Sequence, residues 1–540
     1  MRKKLNVKNS FFQSAFINTL SKVLGIIYVI PFYYVIREQG GALYGYIYTI
    51  YLFFAAIATF GLPLAVRKIC SEYHSKGYYK TEKKAFIMSR RIAFCMGFLM
   101  LLLLFVLAPF LSKLIVGNLR GIKYQEQITF VIRLISVALL VTPVLNVYRS
   151  YLEGHKLVKE KYFSDTIESI IKFSIIIIGS FISVKLFHFS LKTTMGVCVF
   201  GIVAGIIGSY FYILGIIKKK KENFDNNGIK VKEPNFSNKV IIRKVINYAL
   251  PFIMIDLFKV IYDFVDLLTV VKTVSHMSAY SVAEAESIIG ILLLWGSNFS
   301  MIIVSISTGI IVTMIPKLID SFTTKNMEYT NNRVNQILQL LILFVVPITV
   351  VMSILSKPIW MVFYGNSRFG SSIFSYYIFI GLFMSIYLVI TSILYVLKDY
   401  KTVFISFIVG FVLKLLLNIS LMNSFNKMGL PPYYGSISAT IIGYFVGIII
   451  CLYVLYKKYN ITYESTLKEI INIFLATILM ILSIFLFRLI LPYYTNSRIL
   501  NVLLLIVYVT VGFVVYFITV YKTKTVNNIL KKSINIKDSI

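Results

Sequence analysis

The chain reads as an all-α polytopic membrane protein. About fourteen transmembrane helices form two six-helix lobes, related as a parallel pseudo-repeat, plus two C-terminal helices. Three observations carry this reading. Apolar runs long enough to cross a bilayer recur about every 30 to 40 residues along the 540-residue chain. The composition is 58% hydrophobic and only 14% charged, with mean hydropathy +0.81, too little charge for a soluble fold of this length. A polar segment at 218–243, containing Asp225-Asn226-Asn227-Gly228 and Pro234, separates twelve of the spans into six and six. Short alternating strands, the mark of a membrane barrel, are absent from the sequence pattern.

The spans fall near 11–35, 43–66, 91–115, 128–150, 163–185, 194–217, 244–272, 285–315, 335–357, 372–397, 403–423, 436–456, 467–491 and 499–521. The segment at 285–315 is over-long and reads as tilted or projecting from the membrane. The domain organisation is 1–217 for the first lobe, 218–243 for a linker, 244–456 for the second lobe and 457–540 for the last two spans and tail. The opening Met-Arg-Lys-Lys resembles a signal n-region. The apolar run after it continues to about Ile36 without a small-residue cleavage site, so it reads as a retained first span.

The net charge is +33, from 55 basic and 22 acidic residues. Basic residues sit mostly between spans, which points to membrane topology and not to nucleic acid. One set of loops, with both termini, carries roughly 38 of them and the opposite set roughly 11, so the first set and both termini are expected in the cytoplasm. Lys218 to Lys221 belong to that pattern, with attraction to membrane lipid headgroups as a secondary effect.

Several chemistries are disfavoured. Cys70, Cys95, Cys198 and Cys451 are scattered, and His74, His155, His188 and His276 stand apart in sequence, so no metal site or disulfide framework is indicated. There is no phosphate-cradling Gly-rich loop ending in Lys-Ser/Thr and no Ser/His/Asp set. The chain is not expected to be an enzyme or to carry a cofactor.

The densest intramembrane charge lies between Met254 and Asp266, where Asp256, Lys259, Asp263 and Asp266 share one helix face at spacings of i+3, i+4 and i+3. A charge at the bilayer centre costs a few kcal/mol or more unless it faces protein or water. Lys259 is balanced by Asp256 and Asp263, and Asp266 is surplus. The face is either a structural ion-pair network or a site that couples or balances charge, for Na+, H+ or the membrane potential.

Elsewhere Lys22 has no carboxylate on its own helix and needs water, another helix or an anionic ligand such as phosphate. Lys172 has Glu168 and Asp165 within helical reach, a structural ion pair. Lys414, Asn418 and Thr440 read as ordinary interhelical hydrogen bonding. Arg133 and Arg488 lie near enough to span ends to snorkel.

The two halves echo one another. Lys68-Ile69-Cys70-Ser71-Glu72-Tyr73 after the second span registers with Lys317-Leu318-Ile319-Asp320-Ser321-Phe322 after the eighth. Leu20-Ser21-Lys22-Val23-Leu24 registers with Leu257-Phe258-Lys259-Val260-Ile261. Six spans per half make the repeat parallel, with substrate expected between the halves and Lys22 and Lys259 as pseudo-symmetric partners.

The residues Ser21-Lys22-Val23-Leu24-Gly25, Pro31-Phe32, Glu38-Gln39-Gly40-Gly41-Ala42-Leu43-Tyr44, Gly61-Leu62-Pro63-Leu64-Ala65-Val66 and Ser71-Glu72-Tyr73 carry a family likeness. The chain resembles the multidrug/oligosaccharidyl-lipid/polysaccharide exporter superfamily. Within it, the nearest branch is that of polysaccharide biosynthesis and stage V sporulation protein B, which includes MurJ-type lipid II flippases. The likeness is strongest over about the first 160 residues.

The resemblance implies a cationic cavity lined by spans one, two, seven and eight, a lipid-tail groove at the last two helices, and basic residues on a substrate pyrophosphate. The family's first-helix arginine falls on Lys22, and the basic residue closing span two falls on Arg67 or Lys68. Lysine keeps the charge but loses the planar fork. Where the branch carries an Arg-Gly-Gln-Pro-like stretch in span eight, this chain has Trp295-Gly296-Ser297-Asn298, without the basic residue. Members can hold a cation among spans seven, eleven and twelve. Asp256 corresponds, with Lys414 standing in for the cation.

The expected function is a flippase for a polyprenyl-pyrophosphate-linked saccharide, foremost the peptidoglycan precursor lipid II, in the bacterial cytoplasmic membrane. Lys22, Arg67 and Lys259 would bind the pyrophosphate, and Asp256, Asp263 and Asp266 would balance or couple charge. Expected partners are the lipid-linked saccharide, membrane lipids and cell-wall synthesis proteins, and no nucleic acid. The rival readings are a flippase for another lipid-linked repeat unit, a cation-coupled drug exporter of the same fold, and an envelope-assembly scaffold.

Overall fold

A computed structural model describes residues 24–540 except 26, 60, 118–120, 221–233, 235, 250–252, 278, 324–326 and 535–540. The side chains of 116, 253–256, 258, 259, 323 and 530–534 also lie outside the description. The described chain is helical throughout, and it forms two compact units, Met1–Leu293 and Leu294–Ile540.

The first unit contains α1 (Val29–Thr59), α2 (Leu62–Ser75), α3 (Tyr79–Val116), α4 (Ile122–Ser136), α5 (Ala138–Gly154), α6 (Val158–Phe181), α7 (Leu191–Lys219), α8 (Asn238–Ala249), α9 (Ile253–Ser275) and α10 (Val282–Gly290). The second contains α11 (Gly296–Thr323), α12 (Met327–Ile354), α13 (Ser356–Phe363), α14 (Gly370–Val396), α15 (Tyr400–Lys427), α16 (Pro432–Tyr459), α17 (Glu464–Ile490), α18 (Arg498–Lys522) and α19 (Thr525–Ile534). A π-helical turn, Ile291–Trp295, joins α10 to α11, and the boundary between the units falls inside it.

Among the described residues, twelve helical stretches are long and apolar enough to cross a membrane. The first, Val29–Ser75, is really several pieces. Arg37 adopts φ 56° inside α1, which separates the end of span one from span two. Gly61, at φ 63°, and Pro63 then restart the chain as α2. The 23-residue α9 is absent from the twelve because it carries Asp256, Lys259, Asp263, Asp266 and Lys272. With α9 and the span preceding Arg37, the count reaches about fourteen, as the sequence predicts.

Two boundaries differ from the expectation. The span expected at 244–272 is two helices. α8 is amphipathic and buries Ile241, Val245 and Ala249 at a four-residue spacing, and it packs on α2 and α3. α9 begins at Ile253. The over-long segment at 285–315 is a helical run of 41 residues, Val282–Phe322, interrupted by the π turn. Its start is set by a capping box, in which the Ser281 hydroxyl accepts from the Glu284 amide at 3.2 Å and Glu284 Oε2 accepts from the Ser281 amide at 2.9 Å.

Small residues set the closest packing. A side chain at Gly290 would place its Cβ 2.8 Å from the Ala42 amide nitrogen and the Glu38 carbonyl, so α10 lies directly against the α1 backbone. α9 also packs on α1, with Phe264 stacked on Phe53 at 4.3 Å. In the second unit the π turn leaves the Trp295 carbonyl to accept from the Tyr364 hydroxyl at 2.9 Å, and the buried Trp295 ring packs edge-on to Tyr364 at 5.6 Å. The tryptophan that stands where a basic residue was expected is therefore a packing anchor.

Candidate functional site

The pattern of α2 builds the candidate site. Leu62, Ala65, Val66, Ile69, Cys70 and Tyr73 form its buried stripe. The opposite face presents Arg67, Lys68, Ser71, Glu72 and Ser75 to an open cleft, which Glu153, Gly154 and Lys156 complete from the end of α5. Gly154 permits this approach, because a Cβ there would lie 3.0 Å from Cys70 Cβ and 3.3 Å from the Arg67 carbonyl.

The cleft is strongly cationic. Arg67 Nη1 lies 3.5 Å from Glu153 Oε2, with the arginine side chain half exposed. Lys68 Nζ sits 4.3 Å from the Tyr248 ring centroid on α8. Glu72 is held by Lys76 at 2.9 Å and by Lys244 at 3.1 Å, and Glu153 also has Lys161 at 3.7 Å. Three cations (Arg67, Lys68 and Lys156) and two carboxylates thus line the cleft, and Lys76, Lys161 and Lys244 pair with those carboxylates from around it. Burial works against the charge on Lys244, but the Glu72 carboxylate and the Tyr73 hydroxyl outweigh it and hold its pKa above the ordinary value. Such a surface favours anions, and phosphate oxygens match the Arg67 fork.

Behind the cleft, Lys161 Nζ also lies 2.9 Å from Asp165 Oδ2, and Asp165 leads to Arg149, whose side chain is 12% exposed. Arg149 Nε is 3.1 Å from Asp165 Oδ1, and Arg149 Nη2 is 2.7 Å from Glu168 Oε2. Arg149 also donates to the hydroxyls of Ser164 at 3.0 Å and Ser209 at 2.8 Å. This corrects the expected Lys172 pairing. Arg149, arriving from α5, bonds both carboxylates, while Lys172 acts on Glu168 only through its charge, with Nζ 4.7 Å from the Phe173 ring centroid. A guanidinium can hold two acids and two hydroxyls at once, whereas an ammonium has only three protons to donate.

The other expected residues fall in different places. Lys22 lies outside the described residues, as do the side chains of Asp256 and Lys259. Asp263 is partly exposed on α9 and Asp266 is buried at 6% exposure. Neither lines the cleft around Arg67. In the second unit Lys414 is fully buried and donates to the Ser436 carbonyl at 3.0 Å and the Thr440 hydroxyl at 2.6 Å, the interhelical bonding expected of it. Arg133 leans over the Phe105 ring at 4.9 Å and Arg488 over Tyr493 at 3.8 Å, both at helix ends or surfaces.

One convergence has no signal in sequence spacing. His74 and His155, read as standing apart, have ring centroids 4.7 Å apart, and both contact Glu82. Burial first, and then His74, push the His155 pKa down to about 4. The turns that follow α2 and α5 bring these side chains together.

Comparison with known proteins agrees with the architecture. Residues 7–322 match the sequence profile of the polysaccharide biosynthesis protein family. The chain is 27% identical over 524 residues to the lipid II flippase MurJ of Bacillus subtilis (strain 168), covering 95% of this chain and 94% of that one. It is 20% identical over 362 residues to stage V sporulation protein B of the same organism, covering 66% of each. Among solved structures, an inward closed conformation of lipid II flippase MurJ superposes with TM-score 0.66 at 18% identity, covering 95% of this chain and 98% of that one. An inward-facing multidrug resistance MATE transporter of the MOP superfamily gives 0.62 at 9% identity, covering 81% and 94%. At these identities the structural likeness establishes the fold.

Proposed function

The chain belongs to the polysaccharide biosynthesis protein family, and from that premise we propose that it is a flippase for a polyprenyl-pyrophosphate-linked saccharide. The cargo is lipid II, moved across the bacterial cytoplasmic membrane by alternating access of two six-helix lobes. Likeness to a lipid II flippase along nearly the whole chain supports the reading. The observation that carries it is the cleft at Arg67, lined by Arg67, Lys68 and Lys156, whose two carboxylates, Glu72 and Glu153, are paired with further lysines around it. A diphosphate headgroup suits such a surface, and an organic cation does not.

In this mechanism Arg67, with Lys68 and Lys156 beside it, attracts the pyrophosphate at the membrane surface. Lys22 and Lys259 hold it at the centre, while the tail stays in lipid. Asp256, Asp263 and Asp266 on α9 balance or couple charge to Na+, H+ or the membrane potential. One elementary charge moving through the field is worth about 2.3 kcal/mol per 100 mV, enough to bias the cycle. No covalent step is required, so the protein acts as a transporter.

Trp295 favours a second reading. Its buried ring replaces a basic residue expected on the cargo, which suits a different lipid-linked repeat unit held with fewer cations. Complementation distinguishes the two. A strain depleted of its lipid II flippase, and one depleted of a capsular-precursor flippase, each receive the wild type and the Lys22→Ala, Arg67→Ala and Lys259→Ala variants. Outer-leaflet lipid II is expected to recover with the wild type and to fall with each variant. Recovery only in the capsular strain moves the cargo to the second reading. Full recovery by all three variants removes the pyrophosphate assignment.

A further inference from the structure

We propose that His74, Glu82 and His155 form a binding site for a divalent d-block cation of the zinc class. The three side chains come from three helix ends: His74 from the last turn of α2, Glu82 from the first turn of α3, and His155 from the residue after α5. These helices pack on one another. His74 Nδ1 lies 3.3 Å from Glu82 Oε2, and His155 Nε2 lies 2.8 Å from Glu82 Oε1. All three donor atoms lie within 4.8 Å of one another.

The outer contacts orient the donors. His155 Nδ1 is 3.2 Å from the Tyr151 carbonyl, which can only accept, so a proton on Nδ1 has its acceptor there. In that tautomer the Nε2 lone pair points at a carboxylate oxygen, with both side chains only 2% exposed. A contact of this length needs a proton or a metal cation between the two atoms. A proton serves one such pair, whereas here a second imidazole addresses the other oxygen of the same carboxylate. A backbone carbonyl fixing the distal nitrogen of a ligating histidine is the usual second layer of a metal centre.

The donor set selects the ion. Two imidazoles and one carboxylate suit zinc and its neighbours, while magnesium and calcium prefer oxygen throughout. Metal–ligand bonds of about 2.0–2.2 Å place tetrahedral donors about 3.3 Å apart, which the His74–Glu82 pair already matches. The His74 side chain is 35% exposed, leaving an approach from solvent and room for a water as fourth ligand. Lys156, beside His155, is an opposing charge near the site. Ser75 and Lys156 adjoin the ligands and line the cationic cleft, so a bound ion would clasp the helix ends that shape it.

The full-length protein, purified in detergent and stripped with chelator, is titrated calorimetrically with zinc, magnesium and calcium. One zinc per chain is expected, with His74→Gln and Glu82→Gln each weakening binding at least about tenfold and Lys156→Gln tightening it. Cobalt is expected to give the visible absorption of a tetrahedral site, lost in His74→Gln and retained in His188→Gln. His74 is partly exposed, so its variant tests the site even where Glu82→Gln fails to fold. No zinc binding by the wild type, equal zinc binding by the wild type and His74→Gln, or magnesium binding as tight as zinc would each overturn the proposal.

Discussion

The ammonium of Lys414 lies 2.6 Å from the Thr440 hydroxyl, joining α15 to α16 through a lysine with no exposed surface. A buried charge is tolerated when its donors are used, and it becomes costly when a partner is withdrawn. Thr440→Val keeps the shape and removes an acceptor, so it is expected to lower stability by about 1–3 kcal/mol. Lys414→Met removes the charge together with its needs and is expected to change stability by less than about 1 kcal/mol. Thermal unfolding of the detergent-solubilised variants measures both. A larger loss for Lys414→Met than for Thr440→Val would contradict this account.

Arg149 satisfies two carboxylates and two hydroxyls between α5, α6 and α7. Arg149→Gln leaves Asp165 and Glu168 facing each other with much of their compensation gone, and it is expected to destabilise by about 3 kcal/mol. Arg149→Lys keeps the charge without the fork and should fall between that variant and the wild type. The ranking is read from melting temperatures. Equal melting of all three proteins would show the network to be energetically idle.

Gly290 meets the α1 backbone, where a Cβ would lie 2.8 Å from two main-chain atoms. Backbone cannot move aside as a flexible side chain can. Gly290→Ala is therefore expected to destabilise by about 1–3 kcal/mol despite alanine's higher helix propensity. Limited proteolysis of purified protein checks this, with faster cleavage expected in the variant.

Asp399 caps α15 and accepts from Lys458 at 2.7 Å and from the Thr402 amide at 3.3 Å. Burial raises its pKa, but Lys458 and Thr402 outweigh burial and hold it below the ordinary carboxylate value. Such a group stabilises the fold above its unfolded pKa of about 4, and the contribution is lost as pH falls through the folded value. Asp399→Asn keeps a capping side chain and loses the charge. It should melt below the wild type at neutral pH, with the gap closing as pH drops below about 4. A gap that persists in acid would assign the effect to packing.

Much of this protein was legible in one dimension. The transfer of apolar side chains into lipid is a local, additive preference, so the all-α class and the span count follow from windows of sequence. The interhelical bonding of Lys414 with Thr440 follows from the few polar residues in those spans, and Arg67 from the family resemblance. Even the charges of α9 were visible as an exception to the apolar pattern.

Other features needed the helices to be packed. Arg149 reaches Asp165 and Glu168 from a different helix, and spacing along α6 pointed to Lys172. α8 is an amphipathic helix laid on α2 and α3, which a hydropathy window merges with the span that follows. His74 and His155 are 81 positions apart in the numbering, yet their rings lie 4.7 Å apart. The sequence by itself determined which segments enter the bilayer, because that free energy sums residue by residue. Tertiary structure alone decided which polar helix ends meet, because that depends on close packing between segments that carry no record of their neighbours.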